Sequence, residues 1–254
     1  MKIVLSPAKS LDYETKVPVS KFTTLDFEQE ALLISKVLKD KKPAELKGLM
    51  HISDKLAELN WGRNQKWSLP ITANREDARQ AIFAFKGTAY EGLDAYSLSG
   101  KEIDKLQNQL RMLSGQYGIL KPLDLILPYR LEMGTKLPFE SYKNLYEFWK
   151  PKLANYLNKE MQSDEVLINL ASNEYFKAID KKAFKHQIIT PVFKDYKNGK
   201  LKTISFYAKK ARGMMTRFIV QNDLKKHQDL IAFTEGNYQY DSKLSTDNEY
   251  VFTR

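Results

Sequence analysis

The sequence predicts an α/β protein. It reads as one domain over residues 1–254, with a central mixed, partly parallel sheet, flanking helices and an inserted helical hairpin. Three observations predict this. Short apolar runs such as Ile3–Leu5 and Glu165–Leu170 open into polar turns and then into helical patterns, the alternation expected of a parallel sheet. Long stretches such as Tyr142–Leu157 carry apolar residues at helical spacing. Asn198-Gly199 lies between two β-prone runs and marks a tight antiparallel hairpin, which makes the sheet mixed. No repeat or low-complexity linker divides the chain, and 43% hydrophobic with 28% charged residues excludes a globally disordered protein.

Taken in order, Ile3–Leu5 is a short buried strand, and Ser6 to Asp12 is a loop. Leu25 to Lys39 is an amphipathic helix with Asp26 and Glu28 near its start. Pro43 opens a short helix to Met50, and Ser53 caps another running to Trp61. Arg75–Gln80 reads as helical, and Ile82–Phe85 as a compact apolar run of strand type. Ser99 with Glu102 forms a capping box for a helix to Leu110. Met112-Leu113 ends at Ser114-Gly115, and Leu123–Leu127 ends at Pro128. Tyr142–Leu157 is a helix bent by Pro151. Glu165–Leu170 is the best strand, and Ser172-Asn173 starts a helix. The hairpin arms are Ile188–Tyr196 and Leu201–Tyr207, followed by a helix over Ala208–Val220 and a β-prone tail from Asn237.

The chain has no cysteine, which excludes disulfides, thiolate metal sites and cysteine nucleophiles. His51, His186 and His227 are isolated, with no metal-ligand spacing, so no metal and no cofactor is expected. The start MKIVLSPAKSLDYE breaks its apolar run at Pro7, and no apolar stretch approaches the ~20 residues of a membrane span. The expectation is a cytoplasmic protein without a membrane partner. Net charge is +10, which favours polyanionic partners over a neutral surface.

Five stretches, in order, carry a resemblance to a known family. They are Ser6-Pro7-Ala8-Lys9 with Leu11-Asp12; Phe85 to Leu93; Leu113 to Pro122, continuing through Leu127 to Gly134; Asn169 to Tyr175; and Phe206 to Gly213. Together these resemble the YaaA-like family of bacterial peroxide-stress proteins, from residue 1 to about 240. The resemblance implies protection of DNA during peroxide stress, linked to lower free intracellular iron. It also implies DNA binding through a positively charged cleft and a helix-hairpin-helix element. With no cysteine, a sulfenic acid or disulfide cannot be the peroxide sensor.

The helix-hairpin-helix falls at about residues 43–66. Its usual run, Leu-Pro-Gly-Ile-Gly-Pro-Lys-x-Ala, is matched by Leu49 to Ala57, with His51 and Ser53 in place of the two glycines. His51, Ser53 and Lys55, followed by Arg63 and Lys66, are therefore candidate contacts to double-stranded DNA phosphates, with slight sequence preference. Lys209, Lys210, Arg212 and Arg217 are the second group. They end a basic segment that begins at Lys194, includes Lys197, Lys200 and Lys202, and is interleaved with Tyr196, Phe206 and Tyr207. A solvated charged face is the plain alternative for the hairpin lysines.

Three strand-to-helix turns offer a third candidate. Lys86, Gly87 and Thr88, then Ser114 and Gly115, then Ser172 and Asn173, would converge with Lys9 at the carboxyl edge of a parallel sheet. Such an edge suits a small anionic ligand. Glu132 and Glu174 are open between an acid–base role and pairing with Arg130 or a lysine. The leading expectation is thus a DNA-binding stress protein. The rivals are an enzyme acting on a nucleotide, base or other phosphorylated molecule, and an adaptor for a protein partner.

Overall fold

A computed structural model describes all 254 residues. Eight strands form the main sheet: β1 (Lys2–Leu5), β2 (Leu110–Ser114), β3 (Gly118–Leu120), β4 (Leu167–Leu170), β5 (Ile188–Lys197), β6 (Lys200–Lys202), β7 (Gln239–Tyr240) and β8 (Glu249–Thr253). Their order is β7-β8-β5-β4-β1-β2-β3, with β6 paired to β5. The five inner strands, β8, β5, β4, β1 and β2, run parallel. The outer pairings of β3, β6 and β7 are antiparallel, so the sheet is mixed.

Burial follows from this order. β1 lies inside the sheet between β4 and β2, and Ile3, Val4 and Leu5 are fully buried, as a strand covered on both faces requires. β5 alternates buried and half-buried positions because it carries the hairpin out to solvent. Asn198 and Gly199 both take left-handed backbone at the hairpin tip, as a two-residue turn matched to strand twist demands.

Nine α-helices surround the sheet: α1 (Glu28–Lys39), α2 (Pro43–Met50), α3 (Asp54–Lys66), α4 (Ala81–Ala84), α5 (Thr88–Leu93), α6 (Gly100–Gln109), α7 (Leu145–Glu160), α8 (Asn173–Phe176) and α9 (Ser205–Gln221). The caps at Ser53 and Ser99 form, with Ser53 Oγ accepting from Leu56 N–H at 3.4 Å and Glu102 closing a capping box. No helix is long and apolar enough to cross a membrane.

Four local expectations need correction. Arg75–Gln80 is not helical: Arg79–Gln80 pairs antiparallel with Leu125–Ile126, and the Arg75 guanidinium holds the preceding turn on Asp77 and Ser68. The apolar run Ile82–Phe85 is mostly the single-turn helix α4, not a strand. The second hairpin arm ends at Lys202, so Phe206 and Tyr207 belong to the first turn of α9. Ser114-Gly115 leads from β2 into the antiparallel β3, and therefore into a strand rather than a helix.

Candidate functional site

The chain runs from β1 to β2 and β3 on one side of the sheet, then returns to place β4 on the other side of β1. Adjacent parallel strands whose connections leave in opposite directions open a crevice at their carboxyl ends. A cleft of about 580 Å³ occupies that position here. Its floor is Leu5, Ser6 and Leu170, Ser172, the residues that end β1 and β4. Ser6 Oγ accepts the Ser172 N–H at 2.8 Å, which ties the two strand ends together. The Tyr90 hydroxyl donates to the Ser6 carbonyl at 3.0 Å from α5.

Two walls carry the charge. Lys9 follows β1. Lys86, Gly87 and Thr88 are laid over the cleft by a two-residue ribbon in which Ser10–Leu11 pairs with Phe85–Lys86. Lys209 and Arg212 of α9 also line the cleft. Helix α9 reaches this position because it crosses α5 at backbone contact. A Cβ on Gly213 would lie 1.7 Å from the Ala89 carbonyl oxygen, and one on Gly92 would lie 2.2 Å from that of Lys210. The reciprocal glycines let the two backbones touch.

The cations are not equivalent. Lys9 Nζ pairs with Glu132 at 2.6 Å, and Glu132 also accepts from Arg130 at 3.0 Å. Lys86 Nζ lies 3.8 Å from Asp12. Asp12 accepts the Thr15 and Glu14 amides and the Thr15 hydroxyl, and these bonds, led by the Thr15 amide, hold its pKa down to about 2 against the effect of burial. Arg212 has no carboxylate partner. Burial alone lowers its pKa from the ordinary arginine value, so a charged guanidinium sits partly desolvated in the cleft wall. Glu174 also lines the cleft, and its Oε1 accepts the Gly134 N–H at 3.0 Å.

Of the sequence-derived residues, the structure brings together Lys9, Lys86, Gly87, Thr88, Ser172 and Asn173, and adds Lys209 and Arg212 from the other group. Ser114 and Gly115 are not among the lining residues. Ser114 is fully buried, with Oγ bonded to the Tyr129 hydroxyl and the Tyr117 amide, and Gly115 packs on the Leu131 carbonyl. The Arg217 guanidinium turns inward to the carbonyls of Leu93 and Asp94 and to Ser97 Oγ. Lys210 is exposed on α9.

The helical hairpin α2–α3 is present. His51 closes α2 in left-handed backbone, the conformation glycine favours, and the His51 and Ile52 amides both return to the Lys47 carbonyl. Ser53 and Lys55 are exposed, and Asp54 pairs with Lys47 at 2.8 Å at the turn. Arg63 and Lys66 border a second hollow of about 310 Å³ with Trp67, Asp77 and Pro128. Arg63 lies close enough to Arg130 to be repelled by it, and Arg130 with Lys9 borders a small hollow beside the main cleft. The buried Arg130 Nε has no partner. A track of arginines and lysines, interrupted by the Glu132 carboxylate that pairs with Lys9 and Arg130, therefore runs from the cleft toward α3. Sequence reading missed Ser6, Tyr90 and Arg130 as parts of this arrangement; their one signal was membership of three of the five family stretches.

No group of three or more His, Asp or Glu side chains is arranged to hold a metal ion. Fold and site define an α/β protein with a cationic crevice at a topological switch point. The family model for the peroxide stress protein YaaA matches residues 1–244. A UPF0246 protein of Flavobacterium johnsoniae is 57% identical over 254 residues, covering 100% of both chains. UPF0246 proteins of Flavobacterium psychrophilum and Aliivibrio fischeri are 54% and 52% identical over 100% of this chain, and over 100% and 98% of their own lengths. The chain belongs to the YaaA peroxide stress protein family.

Proposed function

We propose that this peroxide stress protein holds double-stranded DNA by its phosphates, largely without reading sequence, and so limits iron-dependent damage to it. The observation that carries the reading is Arg212: a charged, partly desolvated guanidinium without a carboxylate, lining one cleft with Lys209, Lys9 and Lys86. A buried charge is retained when something pairs with it, and a phosphate oxygen is the partner this planar donor suits best. The track through Arg130 to Arg63 and Lys66 extends the field beyond one phosphate. In the α2–α3 turn the His51 and Ile52 amides return to the Lys47 carbonyl and the Asp54 carboxylate stands at the start of α3, so in this reading α9 and the cleft are the main grip and the hairpin supports it. The effect on iron is indirect in this reading.

Binding of labelled duplexes of several sequences tests it. Lys209→Gln with Arg212→Gln should weaken all of them alike, by at least about ten-fold if two charge-assisted contacts are lost. Absence of measurable duplex binding by the unaltered protein at low salt overturns the reading. The depth of Arg212 also supports a phosphorylated small molecule as ligand. Calorimetric titration with inorganic phosphate and nucleoside phosphates separates that case, because a small ligand would bind in the cleft without the salt dependence of a duplex.

A further inference from the structure

A second groove, of about 610 Å³, lies between the β5–β6 hairpin and the first turn of α9. It is lined by Tyr196, Phe206 and Tyr207, with Lys197, Asp195 and Arg254. The three rings are 65%, 57% and 42% exposed, respectively. Rings of this size are normally placed in cores, and three in one groove need a reason. Tyr207 is held in place: the Arg254 guanidinium lies 4.7 Å from its ring centre on one side. Phe206 sits edge-on to Tyr207 at 5.8 Å.

The charge around the rings is of one sign. Asp195, the groove's one carboxylate, is engaged by Arg254 Nε at 2.6 Å and by the Tyr238 hydroxyl at 3.0 Å. Lys200 and Lys202 stand across the hairpin from Lys197 and Asp195. None of Lys197, Lys200, Lys202, Lys209 or Lys210 has an ion-pair partner; the ion pairs of this part of the chain are those of Arg217, of Arg254, and of Asp223 with Lys105 and Lys225.

We propose that this groove binds single-stranded DNA, with unpaired bases stacking on Tyr196, Phe206 and Tyr207 and the lysines neutralising its phosphates. Exposed aromatic faces bordered by unpaired cations suit a flexible strand, because every base has a face to stack and every nucleotide a phosphate. A protein interface would suit the rings but not the lysines, which the cores of such interfaces exclude. A duplex would suit the lysines but not the rings, because its bases are already stacked. Phe206 and Lys209 lie three residues apart on one face of α9, so the groove adjoins the cleft where Lys209 stands. A strand leaving a duplex held at the cleft would meet the rings next. The duplex reading rests on Arg212 and the cleft, this one on the three rings, and Lys209 and Lys210 lie near both.

The test compares labelled oligo(dT) of roughly ten nucleotides, a length within known single-strand site sizes, with an abasic phosphodiester strand of equal length. Oligo(dT) should bind at least about ten-fold tighter, the contribution of one or two stacked bases. Tyr196→Ala with Phe206→Ala should reduce oligo(dT) to the abasic level and leave duplex affinity unchanged. Tyr196→Phe with Phe206→Tyr, which keeps both rings, should restore the preference. Equal binding of the two strands by the unaltered protein overturns the proposal, as does a preference for oligo(rU) of the same length. So does sedimentation showing that the alanine pair abolishes a self-association of the unaltered protein. Loss of duplex binding in Lys209→Gln with Arg212→Gln, with the oligo(dT) preference intact, marks the two sites as separate. A preference for oligo(dT) in a protein that binds no duplex would sink the duplex reading alone.

Discussion

Asp12 shows how one residue serves folding and the site in opposite senses. Its carboxylate fastens the loop after β1 by accepting the Thr15 and Glu14 amides, and it lies 3.8 Å from Lys86 in the cleft. The folded-state pKa of about 2 is below the unfolded value near 3.9, so ionised Asp12 stabilises the fold above about pH 4, and that stabilisation is lost as pH falls through about 2. Asp12→Asn should therefore lower the unfolding temperature at neutral pH, and its difference from the unaltered protein should shrink toward zero as acid unfolding is followed down to about pH 2. The same change removes the anion nearest Lys86 and should tighten phosphate binding in calorimetry. A variant that is both less stable and weaker in binding would show that loop geometry, not charge, is what Asp12 contributes to the cleft.

At the scale of elements, the site depends on the crossing of α5 and α9. A methyl group at Gly213 has no space, since the obstacle is the Ala89 backbone and not a side chain that can turn away. Gly213→Ala should cost more than about 3 kcal/mol and lower the unfolding temperature by roughly 6–12 °C, measured by circular dichroism. Ser53→Ala, which removes an exposed cap on α3, should cost only about 1 kcal/mol. An alanine at Gly213 tolerated as well as the one at Ser53 would mean that the helices separate readily. Elements with their own periodicity were legible in the chain: the helices over Glu28–Lys39 and Leu145–Glu160, the buried β4, and the Asn198-Gly199 turn. Elements set by distant partners were not. Ala81–Ala84 is too short to show a helical period, and Arg79–Gln80 is a strand only because Leu125–Ile126 lies beside it. The site was half legible for the same reason. Lys86, Gly87, Ser172 and Asn173 belong to turns with local signatures, whereas Arg212 joins them through the α5–α9 crossing, where Gly92 packs on Lys210 and Gly213 on Ala89, which no spacing along one helix reveals.

Across the whole molecule, the question is whether one face grips one duplex. The excess of ten positive charges is not spread evenly in effect, because many cations are neutralised locally: Lys9 by Glu132, Lys121 by Asp26, Lys152 by Glu30. What remains uncompensated includes α9, the β5–β6 hairpin and the track through Arg63 and Lys66. Lysines that neutralise phosphates release condensed counterions, so log affinity falls with log salt by about 0.9 per phosphate contacted. Contacts from Lys209, Arg212, Lys86 and Arg63 together should give a slope steeper than about −3, the same for every duplex sequence if the contacts are to phosphates alone. Charge reversal then apportions the grip. Lys209→Glu with Lys210→Glu should flatten the slope by about 2 and weaken every duplex, while the unfolding temperature stays near that of the unaltered protein, since both side chains are exposed. Lys55→Glu tests the hairpin on its own. With the His51 and Ile52 amides returned to Lys47 and the Asp54 carboxylate at the turn, it should change the slope by no more than about 1. A larger loss from Lys55→Glu than from the α9 pair would reverse the assignment, making the helical hairpin the grip and the cleft a site for something smaller.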